Sequence, residues 1–176
     1  MARSDQRRGR TGYTNVVGVP ASWRTYNHSL RLLDSDESEA FRLNQAAAEE
    51  GMHDAVLAMG WFYLNGVGVE IDQEAAFRWY RKSARQGDAR AMFSLGQIAY
   101  SDEDYAEALL WFTRAAEKGH NRSEFWLGKL YSRGHGVGQD RRAAYKHFAK
   151  AADKKLPEAQ RALRYLGFIA NRSKAK

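Results

Sequence analysis

The 176-residue chain contains no cysteine and only two prolines, Pro20 and Pro157. Without cysteine it can form neither a disulfide framework nor a thiolate metal site, and it has no thiol nucleophile. The stretch between the two prolines is rich in alanine, leucine, glutamate, arginine and lysine, which all have high helix propensity. The composition therefore favours a helical protein.

Long apolar runs are also missing. No apolar segment is long enough to span a bilayer, and residues 1–20 lack the apolar core of a secretory signal. We therefore expect a cytoplasmic protein without a membrane span. The net charge is +7, and the basic residues are concentrated in residues 1–20 and 120–176, which favours a partner with an acidic surface.

The chain repeats itself. The similar segments AAAEEG, KSARQG, RAAEKG and KAADKK begin at residues 46, 82, 114 and 150, and each unit contains two apolar-periodic segments of helical length. The N-cap candidates before the second segment of each unit are Asp36, Asp72, Asp140 and the segment DEDY at residues 102–105. We predict helices over residues 21–33, 37–50, 53–65, 73–86, 89–100, 103–118, 121–133, 141–153 and 157–170.

Glycines recur at fixed positions of the unit. Inside a helix, glycine costs about 1 kcal/mol relative to alanine, so its repetition there predicts close approach of a neighbouring helix. We expect the facing residues to be Ala76, Ala108 and Ala144 of the second helices. The glycines inside first helices are Gly60, Gly96 and Gly128. Those of the connecting loops are Gly66, Gly68, Gly134 and Gly136, and those that end second helices are Gly87 and Gly119.

The loops NGVGVEID and RGHGVGQD resemble phosphate-binding loops only superficially. The unit between them has the shorter, glycine-free segment YSDEDYAE at residues 100–107. A P-loop also needs a lysine followed by serine or threonine after its glycines, and neither loop has this pair. The sequence therefore predicts structural turns.

The segment AVLAMGWFYLNGVGVEIDQEAAFRWYRKSARQG at residues 55–87 resembles the Sel-one-like repeat (SLR), a relative of the tetratricopeptide repeat. The resemblance implies an all-α, right-handed α-solenoid of antiparallel helix pairs with about nine helices. Its units are 21–51, 52–87, 88–119 and 120–155, with a capping helix at 157–170. Residues 1–20 would be a basic flexible arm and residues 171–176 a basic tail. Proteins of this kind are mostly non-enzymatic adaptors, many of them bacterial, that hold other proteins on a concave surface.

A catalytic interpretation finds no support in the residue pattern. None of the five histidines is paired at the spacing of metal ligands, and no nucleophile motif is present. We expect no enzyme activity, no metal or other cofactor, and no small-molecule substrate.

In tetratricopeptide-like solenoids the first helices line the concave side, so residues along one stripe of each first helix predict a groove. Its basic and aromatic composition is typical of interface hot spots and suits an acidic segment of a protein partner. The alternative is nucleic-acid binding through residues 120–176 and the arginine-rich arm. The predicted partner-binding residues are Trp61, Asn65, Arg90, Gln97, Arg122, Trp126, Lys129, Arg133 and Tyr165.

Overall fold

The computed structural model describes residues 20–174, with side chains described through residue 167. The predicted N-terminal arm therefore lies outside the described residues, apart from Pro20. Nine helices and no strand are found in the described part of the chain. The helices are α1 (Ala21–Leu32), α2 (Glu37–Glu49), α3 (His53–Asn65), α4 (Gln73–Arg85), α5 (Ala89–Ser101), α6 (Tyr105–Glu117), α7 (Asn121–Arg133), α8 (Arg141–Asp153) and α9 (Pro157–Lys174).

Each helix packs on the next one in the chain, within a unit and between units. This nearest-neighbour packing is that of an all-α solenoid, as the repeats predict. The largest core cluster extends from α4 to α7, and large side chains such as Leu95 and Phe112 are fully buried in it. A second cluster joins α2 to α3.

Aspartate side chains start the second helix of every unit. Each of them accepts a hydrogen bond from a backbone N–H of the first turn, which satisfies a donor that has no partner within the helix. The capping residues are Asp36 of α2, Asp72 of α4, Asp104 of α6 and Asp140 of α8. The predicted N-caps are confirmed.

Two predicted helix ends differ from the structure by more than one residue. Helix α6 begins at Tyr105 rather than at residue 103, because Glu103 has a φ of 60° and cannot belong to a right-handed helix. Helix α9 continues to Lys174 rather than ending at 170, and no proline or glycine interrupts it after Gly167.

The three intrahelical glycines contact aromatic rings, not the alanines expected to face them. A Cβ added at Gly60 would lie 2.6 Å from ring atoms of Tyr80. A Cβ added at Gly96 would lie 2.6 Å from the Phe112 ring, and one added at Gly128 would lie 2.6 Å from the Phe148 ring. Each glycine thus leaves room for an aromatic side chain of the second helix in its own unit. Ala76, Ala108 and Ala144, predicted to face the glycines, are fully buried in the second helices, but the atoms nearest to each glycine belong to the aromatic rings.

The glycine loops are structural turns. Gly66 and Gly134 end α3 and α7 in the left-handed conformation, and each donates its N–H to a carbonyl of the last turn. Gly87 and Gly119 follow the second helices with φ of 90° and 83°. At the corresponding position after α8, Lys155 adopts a φ of 62°.

Candidate partner-binding face

The stripe predicted on each first helix is accessible along its whole length. Its residues on α3, α5, α7 and α9 are all exposed or half-buried, and none is fully buried. We call this stripe the first-helix face. It consists of Asp54, Ala58, Trp61 and Asn65 on α3, Arg90, Ser94, Gln97 and Ser101 on α5, Arg122, Trp126, Lys129 and Arg133 on α7, and Glu158, Ala162 and Tyr165 on α9.

A pocket of about 400 Å³ lies between α3 and α5 on this face. It brings together Trp61, Asn65 and Gln97, three of the predicted binding residues. The Trp61 side chain is 42% exposed, which leaves much of its apolar surface uncovered. Asn65 donates its amide N–H to the Trp61 carbonyl over 2.8 Å, so its own side-chain oxygen remains an acceptor. The other lining residues are Leu64, Gln73, Tyr80, Ser94, Ile98 and Ser101, and all are uncharged.

Arg90, also predicted to bind a partner, is already neutralised within the chain. Its Nη2 lies 2.6 Å from Asp54 Oδ1 and 2.7 Å from Asp88 Oδ2. Hydrogen bonds to Asp88 and then to Asp54 raise the pKa of Arg90 further above its ordinary value. The guanidinium thus links α5 to α3 and does not offer an unpaired charge.

A basic cluster on α7, unlike Arg90, has no carboxylate partner among the described residues. Lys129 Nζ lies 3.7 Å from the centroid of the Trp126 ring and 5.1 Å from that of Tyr100. Arg133 Nη1 donates to the Tyr100 hydroxyl over 2.8 Å. Burial, followed by the charge of Arg133, lowers the pKa of Lys129. Among the described residues no carboxylate pairs with either cation. We call Tyr100, Trp126, Lys129 and Arg133 the α7 cluster.

Trp126 is not a free anchor. Its ring stacks on Phe112 with centroids 5.4 Å apart and contacts Tyr100 edge to face at 4.8 Å. The side chain is half-buried and packs against the main core cluster. It therefore supplies the aromatic floor beneath Lys129, and the ammonium group covers part of its surface.

The remaining two predicted residues lie apart from these groups. Arg122 is exposed in the first turn of α7, and Tyr165 is 66% exposed on α9. Neither lines the pocket between α3 and α5. Sequence reasoning missed Leu64 and Tyr100, which flank the predicted stripe. Tyr100 follows Gln97 by three residues, a helical spacing that marks it as a neighbour.

Elsewhere on α7 and α8, titratable side chains pair with one another. His147 Nδ1 lies 2.7 Å from Glu124 Oε2, and its ring stacks on Tyr131 with centroids 5.3 Å apart. Lys150 contacts the other oxygen of Glu124 over 3.2 Å. Residues 20–174 contain no group of three or more histidine and carboxylate side chains placed to hold a metal ion. In the same range no helix combines the length and hydrophobicity needed to cross a bilayer.

Family comparison agrees with the repeat pattern and the helix pairs. The Sel1 repeat model matches four consecutive segments, residues 24–52, 53–88, 89–120 and 121–156. The chain belongs to the Sel1 repeat family. The four Sel1 repeats correspond to α1–α2, α3–α4, α5–α6 and α7–α8. Helix α9 follows the last of them.

Solved structures of Sel1 repeat proteins have the same architecture. A Sel1 repeat protein from Oxalobacter formigenes superposes with a TM-score of 0.75 at 29% identity, over 81% of this chain and 62% of that one. The protein c5321, a protective antigen of uropathogenic Escherichia coli strains with an SLR fold, gives a TM-score of 0.76 at 27% identity. That match covers 82% of this chain and 33% of the antigen.

Curated relatives are much longer proteins. The chitin synthase regulator SKT5 of Saccharomyces cerevisiae is 39% identical over 62 residues, which are 35% of this chain and 9% of SKT5. HRD3A of Arabidopsis thaliana, a component of an ERAD-associated E3 ubiquitin-protein ligase, is 32% identical over 71 residues. These are 40% of this chain and 10% of HRD3A. The chain thus spans about a tenth of each of these relatives.

Proposed function

We propose that this Sel1 repeat protein is a non-enzymatic adaptor that binds an acidic segment of a partner protein on the first-helix face. The observation that carries the proposal is the α7 cluster, in which Lys129 lies against aromatic rings and Arg133 donates to the Tyr100 hydroxyl. Neither cation has a carboxylate partner among the described residues. Arg90 on the same face is neutralised by two aspartates. Among the described residues, the cations of the first-helix face that have no carboxylate partner therefore all lie on α7.

The physical state of Lys129 favours an anionic ligand. Its ammonium group is partly removed from water, which lowers its pKa and makes an unpaired charge costly. A carboxylate from a partner would compensate that charge, and charge-assisted hydrogen bonds are about twice as strong as neutral ones. The flat rings of Trp126 and Tyr100 would exclude water around such a contact.

The pocket between α3 and α5 supplies the second part of the binding surface. It lies on the other side of α5 from the α7 cluster and is lined by uncharged side chains. Trp61 offers apolar area, while Asn65 and Gln97 offer amide groups that suit a peptide backbone. We therefore infer a bipartite ligand, with an uncharged side chain in the pocket and an acidic residue at the α7 cluster.

The relatives support an adaptor role. One is named as a regulator of an enzyme and another as a component of a ubiquitin ligase. Both descriptions fit proteins that act through others. The absence of cysteine is consistent with a reducing compartment, and we propose the cytoplasm as the place of action.

The test compares proteins captured from nuclease-treated lysate by the wild type and by a Lys129→Glu, Arg133→Glu variant. A matched control, Arg142→Glu with Lys146→Glu, makes the same change in net charge at exposed positions of α8. We expect a protein that is retained by the wild type and the control but lost from the α7 variant. Binding of an acidic segment from that protein should then weaken as salt increases.

Two results would contradict the proposal. If the α7 variant retains the same proteins as the wild type, the cluster is not the binding site. The same capture is repeated with untreated lysate. If material is captured only from the untreated lysate and is lost from the α8 control rather than from the α7 variant, the basic surface binds nucleic acid. Thermal unfolding of all three proteins must coincide for either comparison to count.

A further inference from the structure

The long loops do more than connect two helices of a unit. Each of them covers the N-terminus of the second helix in the preceding unit. A Cβ at Gly68 would overlap the carbonyl group of Glu37, the first residue of α2, and a Cβ at Gly136 would overlap that of Tyr105, the first residue of α6. Only glycine allows the loop backbone to approach this closely.

The corresponding position at α4 lacks such a loop. Gln73 is the first residue of α4, as Glu37 and Tyr105 are of their helices. The loop that would cover it joins α5 to α6, and it has shrunk to residues 102–104, whereas the other two span residues 66–72 and 134–140. A cavity of about 530 Å³ lies at this place, lined by Gln73 and by Asp102 and Asp104 of the short loop. We call this cavity the α4 slot.

The α4 slot has an apolar floor and an acidic rim. Phe77, Ile98 and Ala99 form the floor. Four carboxylates and one guanidinium reach the cavity, from Glu74, Asp102, Asp104, Glu107 and Arg78. Arg78 Nη1 lies 3.5 Å from a carboxylate oxygen of Glu74. Among the described residues, the Gln73 side-chain amide is the only donor to the Asp102 carboxylate. Asp104 accepts from the backbone N–H of Glu107, and Glu107 accepts from Trp111 Nε1. Among the described residues no cationic side chain pairs with Asp102, Asp104 or Glu107, so this side of the slot carries negative charge without a cationic partner.

The N-terminal segment of the chain has the complementary charge and a small residue at its centre. Residues 7–10 read Arg-Arg-Gly-Arg. We propose that these residues dock in the α4 slot, with Gly9 against the Gln73 carbonyl and the arginines on the carboxylates of the rim. The segment takes the place of the loop that this unit lacks, and its arginines suit the carboxylates as bidentate donors.

The length of chain before α1 allows this contact. Residues 7–10 precede Pro20 by ten to thirteen residues and reach about 33–47 Å from it when extended. A 13-residue helix is about 20 Å long, and neighbouring helices are about 8–10 Å apart. The α4 slot is three helices away from α1, and it lies at the opposite end of the antiparallel helices from Pro20. The segment must therefore cross about 30 Å. Its attachment to the solenoid also raises its effective concentration at the slot.

The natural absence of cysteine makes disulfide trapping in the full chain a direct test. One cysteine replaces Thr11, next to the proposed contact, and the second replaces Arg78 in the slot. The matched control pairs Thr11→Cys with Arg42→Cys. Arg42 holds the same position on α2 as Arg78 on α4 and lies closer to α1 along the chain, but there the Gly68 loop fills the slot. We expect the intramolecular disulfide to form at least ten-fold faster in the Arg78 pair.

Charge exchange tests the chemistry of the contact. Asp102→Lys should slow trapping in the Arg78 pair to the rate of the control, and adding Arg8→Glu and Arg10→Glu should restore part of it. Equal rates in the two cysteine pairs, or a rate insensitive to Asp102→Lys, would overturn the proposal. Disulfide-linked dimers whose yield rises with protein concentration would also overturn it, because a second copy would then fill the slot.

Discussion

The ring of Phe112 lies directly against the backbone of Gly96, so that a Cβ at residue 96 would be 2.6 Å from two of its ring carbons. Real Cβ atoms do not approach other heavy atoms so closely. Phe112 is itself fully buried and contacts Phe93 and Trp126 with ring centroids 5.7 and 5.4 Å away. The ring therefore has little room to retreat.

We predict that Gly96→Ala lowers the thermal midpoint. Alanine improves helix propensity by about 1 kcal/mol, but overpacking of a core costs roughly 1–3 kcal/mol, so the net effect is destabilising. Gly96→Leu, with a larger side chain, should unfold the array. Thermal unfolding followed by far-UV circular dichroism measures both effects.

Gly138→Ala is the control for this experiment, because a Cβ at residue 138 meets no atom within 4 Å. Its midpoint should equal or slightly exceed that of the wild type, because alanine restricts the unfolded chain. An unchanged midpoint in Gly96→Ala would show that the ring can move aside and that the glycine is not required for packing.

Lys155 is the reverse case, a non-glycine residue where glycine fits better. It has a φ of 62°, whereas the matching positions of the other units hold Gly51, Gly87 and Gly119 with φ of 85°, 90° and 83°. The left-handed conformation destabilises the folded state by about 1–2 kcal/mol for a residue with a Cβ. Glycine avoids this cost, but the greater flexibility of glycine in the unfolded chain cancels part of the gain. We predict that Lys155→Gly stabilises the protein by about 0.5–1 kcal/mol in urea denaturation.

The neighbouring substitution Lys154→Gly should have the opposite sign. Lys154 has a φ of −88°, which residues with a Cβ adopt freely. Glycine at that position adds only unfolded-state entropy and therefore destabilises. Stabilisation by both substitutions would mean that loss of positive charge, rather than backbone conformation, is responsible.

Local features of the fold were predictable from the sequence, because their causes lie within a few residues. Helix bounds follow from apolar periodicity, and the caps at Asp36, Asp72 and Asp140 follow from side chains that reach their own first turn. The partner of Gly96 was not predicted, since it depends on which residue of the opposite helix points inward. A signal exists, because each glycine precedes its aromatic residue by 20, 16 and 20 residues, and the shorter spacing matches the shorter loop.

The candidate site was predictable as a stripe but not as a set of charges. Helical spacing placed Trp61, Asn65 and Gln97 together, and they line one pocket. The same spacing could not show that Asp54 of another unit neutralises Arg90. Nor could it show that Phe112 covers one face of Trp126. Such contacts across units depend on side-chain packing, which one stripe of residues does not specify.

His120 makes stability depend on pH near neutrality. Its ring contacts Phe93 with centroids 4.4 Å apart, and its Nδ1 lies 3.0 Å from Ser123 Oγ. Burial, and after it the charge of Arg122, lowers the pKa of His120 below its ordinary value. The unfolded chain takes up a proton near pH 6.5, while the folded chain stays neutral until lower pH. Stability from this residue is therefore complete above pH 6.5 and is lost as the pH falls towards the folded pKa.

We predict that the free energy of unfolding decreases between pH 7.5 and pH 5.5 and that His120→Asn removes part of this decrease. Asparagine does not titrate and is a favourable residue at the start of a helix, the position that His120 holds before α7. Urea denaturation at both pH values measures the slope. His53→Asn, at an exposed position of α3, is the control. An equal slope in the wild type and His120→Asn would show that His120 does not cause the pH dependence.

Alanine substitutions at Trp126 and Tyr165 should differ in their effect on the stability of the fold. Because Trp126 is half-buried and stacked on Phe112, Trp126→Ala removes core contacts and should cost roughly 1–3 kcal/mol of unfolding free energy. Tyr165 is 66% exposed, so Tyr165→Ala should change stability by less than about 0.5 kcal/mol. Urea denaturation of both variants measures these costs. If Trp126→Ala unfolds at the same denaturant concentration as the wild type, the indole is a free binding anchor. If the variant unfolds at a lower concentration, its loss of partner binding reflects damage to the fold. The charge reversal at Lys129 and Arg133 is then the better probe of the α7 cluster.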